Sequence, residues 1–330
     1  MSLKRVINTK TLSDLVKLGS INKEGIRLFD CTFVTAPPVK PDPLEFKQKW
    51  FGKFEDLIKL DSPQKRDFLA SRIPGSVHAD LNLALYPGKY QRFAMYSPNI
   101  FEKYIQMLGL DKDDHVILYA RGRIGGMLHA FKMAWLLKSY GHCVDKISVL
   151  DGGFECWLKQ GNQIDKSLDI YKPKKGNWKA SDNTTINITF EEMEEKDSSG
   201  KAIWDRPFDY NLLDTRMREQ YEGKSEAFVR DYAQKGLKGH FVPGTICLPT
   251  VEMIGSDGLL KSDEEIKQMA KKAGYVEGKP VITTCILGFQ AAMASMVLEN
   301  AYTGLETRMF NGSMTEMIAR NPSRITGRVK

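Results

Sequence analysis

The sequence lacks the features that would indicate a membrane-spanning or secreted protein. Its 330 residues contain no apolar run long enough to cross a bilayer. The N-terminal segment has neither the apolar core nor the small-residue cleavage site of a secretory signal, and it matches a mitochondrial transit peptide poorly. We therefore expect a soluble, cytoplasmic protein with no membrane partner, and a mitochondrial location stays open as the alternative.

Cysteine and histidine are too few and too widely spaced for a disulfide framework or a zinc site. No two cysteines form a C-x-x-C pair, and the five histidines show no metal-ligand spacing. The thiols are therefore expected to be reduced, and no metal is expected. The five cysteines are Cys31, Cys143, Cys156, Cys247 and Cys285.

Acidic residues are outnumbered by basic ones, which gives a formal net charge of +7. The basic residues are dispersed, and their one dense cluster, KPKK at 172–175, lies in a polar segment typical of a solvated linker. We therefore expect no nucleic-acid partner, although a nucleic-acid patch is the alternative interpretation of this cluster. A positive surplus also raises the local concentration of small anionic substrates.

The chain consists of two halves that repeat one another in order. The first carries RLFDCTF, SRIPGS and VLDGGF, and the second answers with NLLDTRM, GHFVPGT and MFNGS. A stretch rich in Lys, Asn, Ser and Thr separates them, which is a linker composition. We predict an N-terminal domain over residues 1–165, a linker over 166–186 and a C-terminal domain over 187–330.

Each half alternates short apolar runs with segments of helical periodicity. The runs VILY, ISVL and VIT have the character of strands, and apolar residues three and four apart follow them, for example Ala291, Ala294 and Val297. This alternation predicts α/β domains, each with a mainly parallel sheet and helices on both faces. Ligands bind such sheets beyond the carboxyl ends of the strands.

Cys285 lies at one of these strand ends, in the segment VITTCILGFQAAM. A loop that leaves a parallel strand and enters a helix presents free backbone N–H groups and the positive end of the helix dipole. Both favour a thiolate, which is the reactive form of cysteine. Gly288 would supply the backbone angle that lets the loop curl round the sulfur. A buried structural cysteine is the alternative interpretation.

In order and spacing, these motifs resemble the tandem rhodanese-type sulfurtransferases, the family of thiosulfate sulfurtransferase and 3-mercaptopyruvate sulfurtransferase. RIPGS and GHFVPGT are similar to the two H-I-P-G-A signatures, VLDGGFECWL to L-D-G-G-F-x-x-W, and CILGFQAA to the active loop C-x-x-G-V-T-A. The resemblance covers nearly the whole chain and implies two rhodanese-like domains. Only the C-terminal one would be catalytic, because Ala120 or Arg121 stands where the first half would carry its thiol.

The resemblance implies the chemistry of sulfur transfer. The Cys285 thiolate would take the outer sulfur from a small anionic donor, 3-mercaptopyruvate or thiosulfate, and a thiol or cyanide would then remove that sulfur from the cysteine persulfide. A thioredoxin-like protein is one candidate acceptor. No metal or organic cofactor is implied.

The active loop departs from both of the donor-specific patterns of the family. Thiosulfate-type members carry cationic residues after the cysteine, and mercaptopyruvate-type members carry Gly then Ser or Thr, whereas this chain has Ile286 and Leu287. Donor identity is therefore open. A second interpretation also stays open, in which the chain is a weakly active or inactive rhodanese module that carries a persulfide or binds a partner. A phosphatase is excluded, because its loop needs an arginine where Ala291 stands.

The resemblance also nominates a binding site around the sulfur. Arg72 replaces the histidine of the first H-I-P-G signature and is a candidate anion anchor, with a surface or interdomain ion pair as the alternative. Lys132 replaces the substrate-carboxylate arginine, or is a solvated helix lysine. Ser313 could hydrogen-bond near the persulfide, or cap a turn. Phe33 could wall the pocket, or belong to the core. The loop residues that would bind donor are Ile286, Leu287, Gly288, Phe289 and Gln290.

Overall fold

A computed structural model of the chain describes two compact units. The described residues are 3–23, 25–34, 42–182 and 185–329. Unit 1 comprises Met1–Gly88, Phe93–Asn183 and Ser256–Leu260. Unit 2 comprises Lys89–Arg92, Thr184–Gly255 and Lys261–Lys330. The domain limits drawn at 165 and 187 stay a prediction, and residues 183 and 184 of the predicted linker lie outside the described residues.

Unit 1 contains a five-stranded parallel sheet and a small antiparallel pair. Its strands are β1 Val6–Ile7, β2 Ile26–Asp30, β3 Val77–His78, β4 Leu85–Tyr86, β5 Ala94–Met95, β6 His115–Tyr119 and β7 Ile147–Leu150. The sheet order is β1-β7-β6-β2-β3, and β4 pairs with β5. The central strand β6 is almost wholly buried, which explains why HVILY is a continuous apolar run rather than an alternating one.

Helices flank this sheet. They are α1 Thr9–Lys17, α2 Pro43–Lys49, α3 Phe54–Leu57, α4 Pro63–Ala70, α5 Leu81–Ala84, α6 Pro98–Met107, α7 Met127–Ser139 and α8 Gly153–Lys159. Helix α7 packs on β6 and β7 and is buried along most of its length. It therefore carries apolar residues on nearly every side instead of a single stripe.

Unit 2 repeats the plan with a four-stranded parallel sheet. Its strands are β8 Asn211–Asp214, β9 Ile246–Cys247, β10 Val281–Thr284 and β11 Thr307–Met309, in the order β11-β10-β8-β9. Its helices are α9 Phe190–Glu194, α10 Arg218–Tyr221, α11 Glu226–Gln234, α12 Asp263–Ala273, α13 Phe289–Ala301 and α14 Ser313–Arg320. One core of unit 2 gathers Trp204, Phe310, Met314 and Met317 around Ile282.

The prediction of α/β units with parallel sheets and flanking helices is confirmed. The strands place their carboxyl ends along one edge of each sheet because they are parallel, and in unit 2 the cysteine that follows β10 lies at that edge. Within the described ranges, none of the helices combines the length and apolarity that a membrane span requires.

Acid is expected to destabilise the protein partly through His115, on β6. Burial, followed by the nearby His142 and Lys146, lowers the pKa of His115 from 6.5 to about 4. Above pH 6.5 the ring is neutral in both the native and the unfolded chain. Between 6.5 and about 4 the unfolded chain binds a proton that the native chain does not, so stability falls as pH falls through this window and levels off below it.

The measurement is the melting temperature of the wild type and of His115→Gln near neutral pH and near pH 4. Glutamine can replace the bond that the ring Nε2 makes to Ser148 Oγ at 2.8 Å, but it does not titrate. The variant should therefore lose less stability on acidification than the wild type. Equal losses in both proteins would contradict the role of His115.

Candidate active site

The candidate reactive residues of unit 2 lie at the carboxyl ends of three neighbouring strands. Thr284 of β10 pairs with Asp214 of β8, and Asp214 pairs with Cys247 of β9. Cys285 follows Thr284 directly and is only 1% exposed. The chain then passes through residues 286–288 into helix α13.

The sulfur of Cys285 is held by the backbone at the start of α13. The N–H of Gly288 donates to Cys285 Sγ at 3.1 Å. Gly288 is the N-terminal capping residue of the helix and has φ +81° and ψ +8°, a left-handed conformation that glycine adopts without steric cost. One of the predicted hydrogen bonds from backbone N–H groups to the sulfur is therefore present. Its donor is Gly288, the glycine that the sequence analysis singled out. The positive end of a thirteen-residue helix lies beside it.

Uncharged side chains form the rest of the loop, and all of them except Gln290 are apolar. Ile286, Leu287, Phe289 and Gln290 are each half-buried, and Gly288 is buried. The loop thus places no charged side chain beside the sulfur, and its direct polar contact with the sulfur comes from the backbone.

Ser313 holds the backbone of Cys285 from the other side. Its Oγ accepts the N–H of Cys285 at 3.1 Å, donates to the carbonyl of Phe310 at 2.8 Å and lies 3.9 Å from Cys285 Sγ. The carbonyl of Cys285 accepts the N–H of Met314 at 3.0 Å. The start of α14 is therefore fixed to the cysteine. Ser313 adopts φ +51°, a strained angle for a residue other than glycine.

Replacing Ser313 is expected to loosen Cys285. Ser313→Ala leaves the buried N–H of Cys285 without its acceptor, which costs about 1–3 kcal/mol of folding stability. Urea denaturation measures this loss. Ser313→Gly removes the same hydroxyl but relieves the positive φ. Both variants should load sulfur more slowly than the wild type if the hydroxyl positions the cysteine, and normal loading by the glycine variant would refute this role.

A buried ion pair supports the neighbouring strand. Arg216 Nη2 lies 2.6 Å and Nε 2.9 Å from the Asp214 carboxylate, and both side chains are at most 1% exposed. Burial works against the charge, but Asp214 nevertheless raises the pKa of Arg216. The guanidinium also donates to Tyr232 Oη and to the carbonyl of His240. The motif LLDTRM thus forms a buried ion pair at the end of β8, where Asp214 pairs with Thr284, the residue before Cys285.

Two threonines, which the sequence did not single out, bond to residues at the two ends of the active loop. Thr215 donates both its N–H and its hydroxyl to the carbonyl of Thr284, at 2.9 Å each. Thr250 donates its hydroxyl to the carbonyl of Gln290 at 2.9 Å. The sequence signal for these two residues is weak, because neither belongs to a recognisable motif. Each is a single threonine that follows a short strand, directly or after a few loop residues.

Residues 45–160 match the family described as Rhodanese-like domain. The Caenorhabditis elegans protein mpst-1, provisionally named a thiosulfate sulfurtransferase, is 42% identical over 334 residues, which cover 99% of this chain and 98% of mpst-1. The chain belongs to the tandem rhodanese sulfurtransferases, the thiosulfate/3-mercaptopyruvate sulfurtransferase family. It is thus a sulfurtransferase-type enzyme.

Two further comparisons agree with this assignment. Human 3-mercaptopyruvate sulfurtransferase is 25% identical over 240 residues, covering 73% of this chain and 75% of the human protein. The crystal structure of SseA from Escherichia coli, described as a rhodanese fold, matches with a TM-score of 0.69 at 18% identity, over 94% of this chain and 99% of SseA. The predicted tandem rhodanese fold is confirmed.

The unit 1 residues nominated as substrate-binding have firm structural partners within unit 1 of the sulfurtransferase. Arg72 is 1% exposed, and its Nη2 lies 2.8 Å from Asp165 and 2.8 Å from the carbonyl of Ser167. Arg72 therefore forms the ion pair of the alternative interpretation, but with a residue of its own unit, and Asp165 is 25% exposed whereas Arg72 is buried. Its Nη1 has no hydrogen-bond partner in the part of the chain that the structure describes.

Lys132 and Phe33 also lie in unit 1. Lys132 is fully buried in α7, with its Nζ 4.4 Å from the ring centroid of Trp135. The alternative of a solvated helix lysine is therefore wrong. Phe33 is half-buried and makes edge contacts with Phe93 at 5.5 Å and His129 at 5.3 Å.

The corresponding loop of unit 1 contains no thiol and holds a carboxylate instead. Arg121 pairs with Asp30 at 3.0 Å and lies over the ring of Phe154 at 4.1 Å. The N–H of Gly122 donates to Glu155 Oε1 at 2.6 Å. In this loop of the sulfurtransferase, a backbone N–H thus donates to a side-chain carboxylate. In the unit 2 loop, a backbone N–H donates to the sulfur of Cys285 instead.

Proposed function

We propose that the protein transfers a sulfane sulfur from a small anionic donor, 3-mercaptopyruvate or thiosulfate, through a persulfide on Cys285 to a thiol or cyanide acceptor. The contact that carries this proposal is the 3.1 Å bond from the Gly288 N–H to Cys285 Sγ at the start of α13. Residues 187–330 would form the catalytic domain, and residues 1–165 a non-catalytic one joined to it by the linker at 166–186.

The first step is attack of the Cys285 thiolate on the outer sulfur of the donor. With thiosulfate, the sulfur–sulfur bond breaks and sulfite leaves with the electron pair. With 3-mercaptopyruvate, the carbon–sulfur bond breaks and the pyruvate enolate leaves, then takes a proton from solvent. The N–H of Gly288 and the helix dipole stabilise negative charge on the sulfur in both cases, and the guanidinium of Arg216 also interacts electrostatically with Cys285.

The second step returns the enzyme to its starting form. A thiolate or cyanide attacks the outer sulfur of the persulfide, the sulfur–sulfur bond breaks, and the Cys285 thiolate leaves. Thiocyanate is the product with cyanide, and a new persulfide is the product with a thiol. A thioredoxin-like protein would supply such a thiol. Neither step requires a metal or an organic cofactor.

The active loop is proposed to bind the donor, and Arg72, Lys132 and Phe33 of unit 1 stay proposed donor-binding residues. Residues 286–290 would bind the donor through backbone groups, since Ile286 and Leu287 offer neither charge nor hydroxyl. Arg72 is a suitable anion anchor because its Nη1 retains an unused N–H within the described residues. Lys132 would supply a second positive charge and Phe33 an apolar wall. Ser313 would hold the cysteine backbone.

A persulfide carrier is the second candidate. The sulfur of a residue only 1% exposed, in a loop with apolar Ile286 and Leu287, is better shielded from water than a site for free anions requires. Such shielding would protect a stored persulfide and favour delivery by a protein partner.

Intact-protein mass spectrometry separates the two candidates. The reduced protein is incubated with thiosulfate or with 3-mercaptopyruvate, the donor is removed, and the protein is weighed and then digested. The enzyme should gain one sulfur, located on the peptide that contains Cys285, and lose it to cyanide. The donor that loads faster is the preferred one. No gain with either donor would refute the enzyme and favour the carrier.

A further inference from the structure

Unit 2 contains a cavity of about 720 Å³ that does not include Cys285 or its loop among its lining residues. It lies between the end of β9, the 3₁₀ helix Thr250–Met253 and helix α12. This volume is in the range of pockets that hold drug-sized ligands, and a donor of only a few heavy atoms would leave most of it empty. The cavity is therefore suited to a different ligand.

The polar side of this cavity is positively charged. Arg218 forms two bonds of 2.8 Å with the Glu252 carboxylate, so these two charges neutralise each other. Lys261 Nζ donates to the carbonyl of Glu252 at 2.7 Å and to Met269 Sδ at 3.7 Å, and neither acceptor atom is charged. Lys272, on α12, is exposed and makes no side-chain hydrogen bond or ion pair within the ranges described. Among the described residues, two lysines that form no ion pair therefore line the cavity, although Lys261 also interacts electrostatically with Glu265.

Other lining residues of the cavity are apolar. Leu248 is buried, and Ile254 and Met269 are half-buried. A site with an apolar wall and a few convergent charges selects ligands that combine an apolar body with a group of opposite charge. A small inorganic anion would satisfy the lysines but would leave the apolar wall in water.

Cys247 lines the same cavity but is not suited to a second sulfur-transfer reaction. Burial, with the neighbouring Asp214 and Glu252, raises the pKa of its thiol to about 12, although Arg218 acts in the opposite direction. The thiol is therefore protonated at neutral pH and a poor nucleophile. The features of this cavity suit binding rather than catalysis.

We propose that this cavity binds an organic anion of ligand size, with an apolar body against Leu248, Ile254 and Met269 and a carboxylate, sulfonate or phosphate beside Lys261 and Lys272. The site is distinct from Cys285 and does not depend on sulfur transfer. Its charge and shape recognise a class of ligand rather than one compound.

The test uses the full chain and the fluorescent probe 8-anilinonaphthalene-1-sulfonate, which has an apolar body and one anionic group. Its neutral analogue N-phenyl-1-naphthylamine lacks that group. The anionic probe should bind saturably and more tightly than the neutral one, and its affinity should fall as salt screens the lysines. Competition by an alkyl carboxylate or an alkyl phosphate then distinguishes the two natural forms of the anionic group.

Two matched variants locate the site. Lys272→Glu should weaken binding of the anionic probe by about tenfold or more, because it places a carboxylate beside the sulfonate. Lys271→Glu changes the net charge equally on the same helix, at an exposed residue that does not line the cavity, and should change binding by less than about threefold. Equal effects of the two variants, or equal affinities for the charged and neutral probes, would overturn the proposal. Cys285→Ser should leave the affinity unchanged.

Discussion

Cys285→Ser is expected to abolish sulfur loading from both thiosulfate and 3-mercaptopyruvate. Oxygen replaces sulfur at nearly the same size, so the buried position beside Ser313 and Gly288 should keep its packing. A serine hydroxyl cannot form a persulfide, and at neutral pH it is not ionised enough to attack a donor without an adjacent base. Turnover should fall below detection while the folded structure is retained.

The measurement is the mass of the intact variant after incubation with each donor, together with thiocyanate formation in the presence of cyanide. Circular dichroism and urea denaturation show whether the variant is folded. Cys247→Ser and Cys31→Ser are the matched controls. Burial raises the pKa of both thiols, and Cys31 is completely buried, so neither should carry the transferred sulfur. Full loading of the Cys285 variant, with loss of loading in a control variant, would show that another cysteine carries the transferred sulfur.

Sequence patterns were sufficient for the parts of this site that depend on local structure. The run VITT followed by Cys285, a glycine and an apolar helix pattern predicted a strand, a turn and a helix, and each of these is present. The turn needs a left-handed residue before α13, and Gly288 is the residue in that stretch that adopts it without cost. Local chemistry therefore decided both where the sulfur lies and which N–H donates to it.

Contacts between residues far apart in the chain could not be predicted in the same way. Arg72 was nominated from a motif, but its pairing with Asp165 depends on an antiparallel bridge between two loops. Ser313 was expected near the sulfur, yet its hydroxyl binds the backbone N–H of Cys285 through a strained φ that no sequence rule favours for serine. Such details follow from tertiary packing, which overrides local propensity.

Residues 89–92 illustrate the same point for the domain limits. They lie in the first half of the sequence but belong to unit 2. Gln91 donates to Glu316 at 2.7 Å and accepts from Asn311 at 3.0 Å, and Arg320 lies 4.9 Å from the ring centroid of Tyr90. A boundary drawn from linker composition finds where the chain turns polar. It does not find a short segment that packs on the other unit.

Arg216→Met is expected to destabilise unit 2 by about 3–5 kcal/mol, because it leaves the carboxylate of Asp214 buried without its partner. Asp214 is 1% exposed and pairs with Thr284, the residue before Cys285. The loss should therefore appear both as a lower urea midpoint and as slower sulfur loading. Lys235→Met is the control, since the Lys235–Asp231 pair is about half exposed and should contribute less than about 1 kcal/mol.

The double variant Asp214→Asn with Arg216→Met identifies the cause of this loss. Asparagine keeps an oxygen for the backbone N–H of residue 216, which Asp214 accepts at 3.2 Å, but carries no charge. If an unpaired buried charge causes the damage, the double variant should be more stable than Arg216→Met alone, even though it carries more changes. If the double variant is instead less stable, the bonds of Arg216 to Tyr232 and His240 would be the main contribution. The loading rate should follow stability in the first case, because the restored strand end again holds Thr284, the residue before the cysteine, in register with residue 214.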